Sequence, residues 1–138
     1  EDVRALGPDI LAAIKTSAPA NTMFGDGIRQ AGLNVLAKYR FREAMTLCIE
    51  TMEIESWGKR LRITGNLKIL KSYGGAAKEV LPLLDKLEKD LRQHRETKML
   101  APQIELLHEV RSAIVAATEQ PELRSIAPVQ PKADSENR

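Results

Sequence analysis

An all-α fold of stacked antiparallel helical hairpins is what this sequence predicts, and three observations carry that prediction. The first is an internal repeat: Leu33, Leu36 and Tyr39 recur as Leu67, Leu70 and Tyr73 at a shift of 34 residues. The segment from Glu43 to Cys48 then aligns with Glu79 to Leu84 at a shift of 36, the two extra residues falling in the turn that carries Gly74 and Gly75. A period in the mid-thirties built of two amphipathic segments marks an array of helical hairpins. The second observation is a hydrophobic fraction of 43 %, ordinary for a folded chain. The third is that its 138 residues include only five aromatics, which suits helix pairs packed through Leu, Ile, Val and Ala.

Taken in order, the segment Ala5 to Ile14 reads as the second helix of a hairpin whose first helix is missing, with Pro8 in its opening turn and Ile10, Leu11 and Ile14 as its stripe. That pattern is expected of a piece of a longer array, the C-terminal part of a larger protein. Residues 18–25 form a linker, with Met23 and Phe24 read as a staple onto the next helix. Asp26 is the expected N-cap of a helix reaching about Arg40, with Ile28, Ala31 or Gly32, Val35 and Tyr39 at helical spacing, joined by Leu33 and Leu36. Gly32 within it predicts a close helix crossing. A break at Tyr39 to Arg42 leads to a second helix, with Ala44, Met45, Leu47, Cys48, Ile49 and Met52 as its apolar set.

The second copy opens after Ser56, a candidate cap, and carries the stripe Ile63, Leu67, Leu70 and Tyr73. Gly74-Gly75 stops it, since glycine readily takes the left-handed conformation that ends helices. Its partner helix begins near Ala77, with Pro82 close to the first turn and Val80, Leu84, Leu87 and Leu91 as the stripe. The charged run Glu88 to Lys98 ends that helix, and Thr97 is a candidate cap for the last. There Pro102 lies near the start, and Ile104, Leu107, Val110 or Arg111, and Ile114 lead to about Thr118. Beyond Glu119 the chain is polar, with Pro121, Pro128 and Pro131, and predicts a disordered tail. The expected organisation is a helical domain over 1–118 and a tail over 119–138.

The run Leu67-Lys68-Ile69-Leu70-Lys71-Ser72-Tyr73-Gly74, followed by Ala77-Lys78-Glu79-Val80-Leu81-Pro82-Leu83-Leu84, resembles the HEAT-type repeat family. The likeness covers residues 3 to 95 well and the last helix poorly. The first copy departs from it, with Arg40 at the Gly position and Thr46 at the Pro position. The resemblance implies a right-handed HEAT-like α-α superhelix that serves as a scaffold holding other macromolecules. The family pattern specifies packing residues and carries no catalytic ones across.

The net charge of +2 is too balanced to argue for nucleic acid, but its distribution is uneven. Residues 59–98 hold eleven basic and five acidic side chains, a local +6, whereas 1–58 and 99–138 each come to -2. Trp57, Lys59, Arg60, Arg62, Lys68 and Lys71 are the candidate binding residues: between Lys59 and Lys71 there are five cations and no acid, with Trp57 placed to stack on a base or pack against a partner. The competing reading is a solvated helix face with Trp57 tucked into the hairpin junction.

Other chemistry is thinly represented. The single Cys48 excludes an intramolecular disulfide and reads as a small buried hydrophobe. His94 and His108 are read as solvent-facing helix residues, and the one His108-Glu109 pair falls short of the several His-Glu pairs of HEAT-type hydroxylases. Asp26 and Trp57 are likewise too generic for a HEAT-like DNA glycosylase. Gly25-Asp26-Gly27 lacks the preceding strand of a phosphate loop, and Glu53 and Glu55 read as a solvated helix end rather than an acid and base pair. No cofactor or metal is expected, and no window approaches the roughly 18 apolar residues of a membrane span. The chain starts on Glu1 without a signal pattern, which leaves its compartment undecided. The function expected is a non-catalytic scaffold or protein-protein interaction module, its partner another protein or other domains of the same parent chain; the alternative is polyanion or nucleic-acid binding through the face from Lys59 to Lys71.

Overall fold

The computed structural model describes residues 3–16 and 25–126, and these are helical with no strand among them. Six α-helices follow in order: α1 Val3–Thr16, α2 Gly25–Lys38, α3 Glu43–Glu50, α4 Lys59–Lys71, α5 Leu81–Arg92 and α6 Ala101–Ala116. A 3₁₀ helix, Gly74–Val80, joins α4 to α5. The linker and the Met23-Phe24 staple lie outside the described residues, apart from Gly25.

Helices α2 and α4 begin at Gly25 and Lys59, separated by the same 34 residues as the sequence repeat. Leu33 and Leu36 in the first, and Leu67 and Leu70 in the second, are fully buried. The turns match as well: Arg40 has φ 60° and Gly74 has φ 58°, so both copies reverse through one left-handed residue at the same repeat position. Helix α2 packs on α4 and α4 on α6, α3 packs on both α4 and α5, α5 packs on α6, and α1 lies against α2, whereas α4 and α5 meet only through the 3₁₀ segment between them. Gly32 marks the contact of α1 with α2. A Cβ there would stand 2.8 Å from the buried Ile14 side chain, so glycine permits the close crossing.

Several element boundaries differ from the expected ones. Helix α1 starts at Val3, leaving Pro8 in its interior rather than its opening turn, and Asp26 stands inside α2 rather than capping it. Helix α4 is preceded by Gly58 at φ 82°, not capped by Ser56, because the preceding loop is organised from below by a buried cation. The partner helix of the second copy starts at Leu81 rather than Ala77, the intervening residues being 3₁₀. Pro82 sits in its first turn, where its missing N–H leaves no helical bond unmade. Helix α6 starts at Ala101 after Leu100, so Thr97 is not its cap, and Pro102 lies in the first turn.

Residues 119–126 correct the expected tail over its first part. The Gly75 N–H donates to the Glu119 carbonyl at 3.1 Å, and the Arg124 N–H donates to the Arg40 carbonyl at 2.8 Å. The Arg124 carbonyl in turn accepts from the Arg42 N–H at 2.8 Å, making a one-residue parallel bridge beside Phe41. Leu123 and Ile126 rest on the core. Two apolar side chains and a set of backbone bonds thus hold a segment whose composition reads as tail; residues 127–138 are outside the described part.

Candidate interaction surface

The loop from Thr51 to Gly58 leaves α3, turns through Glu53 at φ 47° and enters α4 through Gly58. Such a loop directs several carbonyls inward, and buried carbonyls need donors. Arg62 supplies them. Its Nε donates to the Met52 carbonyl at 2.7 Å, Nη1 to Trp57 at 2.9 Å, and Nη2 to Glu53 at 2.7 Å and Ser56 at 3.2 Å. The side chain is only 2 % exposed. Arg62 therefore does not belong to a basic outer face; it is removed from the candidate site, and its role is to hold the loop that presents Trp57.

Beside it lies a second buried polar set. Asn66 donates to the Cys48 carbonyl at 2.9 Å and accepts from Gln30 at 3.0 Å, and the Gln30 amide lies over Gly65, where a Cβ would collide with it. Burial pushes the Cys48 thiol up to about 12, so it stays protonated and a poor nucleophile.

Trp57 is 72 % exposed and Leu61, one turn further on, 82 % exposed, which overturns the reading of a Trp tucked into the hairpin junction. Met99, 40 % exposed, approaches them from the turn before α6. Together with Arg60 and Gln103 they border an open groove of about 630 Å³. Its floor is crossed by the Lys59–Glu96 ion pair at 2.9 Å, which ties the start of α4 to that turn. Lys59 holds the Glu96 carboxyl below its ordinary range. Lys59 is thereby spent inside the protein. The Gln103 amide donates to Thr64 Oγ1 at 3.3 Å.

Arg60, Lys68 and Lys71 remain exposed, and none has an ion-pair partner among the described residues. Offsets of eight and eleven residues place them within one quadrant of the helix. Acids that could neutralise them are engaged elsewhere: Glu53 by Arg29 at 3.0 Å, Glu79 by Arg42 at 3.0 Å, and Glu55 by His94 and Arg95 at 3.3 and 3.5 Å. Glu53 and Glu55 are thus ion-pair members rather than a solvated helix end.

His94, expected in solvent, is buried, and its Nδ1 accepts the Glu96 N–H at 2.9 Å. His108 is half-exposed on α6, with Nε2 2.7 Å from Glu88, which also receives Arg92 at 2.8 Å. A guanidinium is donor-only, so the proton on His108 Nε2 points to the carboxylate and Arg92 is held by Glu88. Among the described residues no three His, Cys, Asp or Glu side chains are grouped to hold a metal ion, and no helix is long and apolar enough to cross a membrane.

The residues missed by sequence reasoning are Leu61, Met99 and Gln103. Leu61 was detectable, because two residues before Ile63 is about 200° around the helix and therefore opposite the core stripe. Met99 and Gln103 reach the groove only through the packing of α6 on α4. No family model, curated protein or solved structure matches this chain.

Proposed function

We propose that the chain is a HEAT-like stack of helical hairpins whose function is non-catalytic: it presents a rigid surface for contact with another protein. The packing of α2 on α4 and the repeated turn at Arg40 and Gly74 support the HEAT-like part of this reading. The observation that carries the function is the cluster of Trp57, Leu61 and Met99 in one exposed groove. Large apolar side chains scattered singly are normal on surfaces, but a group rimmed by polar residues is characteristic of contact sites. An aromatic beside an Arg is the composition that dominates binding energy in protein interfaces. The groove is held from behind by Arg62 and the Lys59–Glu96 pair, so little order is lost on binding.

A photo-crosslinking amino acid placed at Leu61 tests this in cells. Protein adducts that disappear when Trp57 is changed to Ser are expected. Absence of protein adducts overturns the reading.

The three exposed cations favour a second reading, a polyanion surface. Its test is anisotropy of labelled single- and double-stranded DNA and RNA at about 50 and 200 mM salt, where counterion release gives a steep loss of affinity. The control variant is Arg60→Glu/Lys68→Glu/Lys71→Glu, because Arg62 is structural. Salt-sensitive binding lost in that variant supports it, and no binding at either salt removes it.

A further inference from the structure

Charge and shape along α4 define the partner more narrowly. The groove at Trp57, Leu61 and Met99 sits at the N-terminal end of α4, and the cations Arg60, Lys68 and Lys71 continue along the same exposed side. From Arg60 to Lys71 is eleven residues, about 16 Å or three helical turns. A second helix laid along α4 presents side chains at that spacing, i, i+4, i+7 and i+11. The groove is bordered by the apolar side chains of Trp57, Leu61 and Met99, and so accepts an apolar anchor. The three cations have no ion-pair partner among the described residues, and so ask for carboxylates.

We propose that this face binds an acidic amphipathic helix of a protein partner, with an apolar anchor between Trp57, Leu61 and Met99 and carboxylates on Arg60, Lys68 and Lys71. This rests on the protein-contact reading above and names the chemistry of its partner. Leu61 supports it independently, because a large apolar side chain among the three cations is poorly matched to a phosphate backbone and well matched to the boundary of an amphipathic helix.

A display library of helical peptides of about 16 residues, long enough to span α4, is the test. Apolar residues are fixed at i, i+3, i+4 and i+7, Trp is excluded, and the other positions are random. The whole chain is the bait. Asp and Glu are expected to be enriched over Lys and Arg at the random positions by about threefold or more. Because Trp57 is the only tryptophan in the chain, bound peptides shift its emission to the blue and give affinities directly. Leu61→Ser abolishes selection. Arg60→Glu/Lys68→Glu/Lys71→Glu weakens the selected peptides by about tenfold or more and selects basic peptides in their place. All four side chains are exposed, so the variants stay folded; Lys68→Glu and Lys71→Glu lower the melting temperature by about a few degrees, because they put negative charge in the last turn of α4.

Neutral or basic peptides selected by the wild type, an empty pool, or a pool indifferent to Leu61→Ser would each overturn the proposal. So would a single-stranded DNA 12-mer that displaces the selected peptides and itself shifts Trp57 at lower concentration. If the display fails while the crosslinker at Leu61 still captures protein, the acidic-helix assignment falls and the protein-contact reading stands. If both fail, both fall.

Discussion

At Arg62 one side chain holds a whole loop from inside. The inward carbonyls of the loop before α4, at Met52, Glu53, Ser56 and Trp57, are served by one guanidinium. Planar geometry matters as much as charge, since a lysine ammonium has three donors at one point and cannot reach carbonyls on several sides. Arg62→Met is expected to destabilise the fold by about 3 kcal/mol, because buried acceptors lose their donors, and Arg62→Lys is expected to recover less than half of that. Urea denaturation measures both; a lysine variant as stable as wild type would show that charge alone suffices. At Glu88 the expectation concerns pH. His108 and Arg92 hold its carboxyl below the ordinary 4.5, so its contribution is complete above pH 4.5 and is lost as pH falls through the folded value. Glu96, lowered by Lys59, acts with the same sign. Glu88→Gln should therefore give a shallower fall of stability below pH 4.5 than wild type. Identical acid limbs in a pH series of melts would refute it.

The hairpin turns show how an element is ended in two ways at one repeat position. Gly74 takes φ 58° without penalty, and the nearest atom to an added Cβ is the Glu119 carbonyl at 3.9 Å, so space is not the issue. Gly74→Ala is expected to destabilise by about 1 kcal/mol from backbone strain alone. Arg40 bears that strain in the first copy, where Nη1 donates to the Ser72 carbonyl at 2.8 Å and the guanidinium stands 5.9 Å from the Tyr73 ring. Relief of strain and loss of this contact oppose each other, each at about 1 kcal/mol, so Arg40→Gly should be close to neutral. Thermal melts of the pair give the answer: an Arg40→Gly chain stabilised by as much as Gly74→Ala is destabilised would mean that the Arg40 contacts contribute nothing. The crossing at Gly32 and the Pro82 start of α5 are further places where one residue type sets how an element meets its neighbour.

For the molecule as a whole, the segment 119–126 ties the two copies together. It bonds to Gly75 in the second turn and to Arg40 and Arg42 in the first, and the Ile126 N–H donates to Glu43 at 3.1 Å. Ile126 also reaches Gly7 in α1. Ending the chain after Thr118 should lower the melting temperature by about 5 °C or more, because it uncovers Phe41 and leaves the Arg40 carbonyl without its partner. An unchanged melt would mean that the segment only lies on the surface.

The all-α class, the 34-residue register and the buried stripes of α4, α5 and α6 were legible in the chain, because helical periodicity is local: a residue three or four positions away is a neighbour whatever the rest of the fold does. Leu67, Leu70, Leu107 and Ile114 needed nothing else to be placed in the core. In α2 the same period put Ile28 and Val35 beside Leu33 and Leu36, yet both are exposed, because only the packing of α1 and α4 decides which side of α2 is covered. The inward turn of Arg62, the pairing of Lys59 with Glu96, the burial of His94 and the docking of residues 119–126 were not legible. Each depends on a carbonyl or side chain supplied by a distant or irregular segment, and composition does not say where such a group will point. Of six candidate residues taken from one basic run, tertiary structure left Trp57, Arg60, Lys68 and Lys71 on the surface and added Leu61 and Met99. A helix's own period decides which side chains share a face, and only the packing of its neighbours decides which faces remain open.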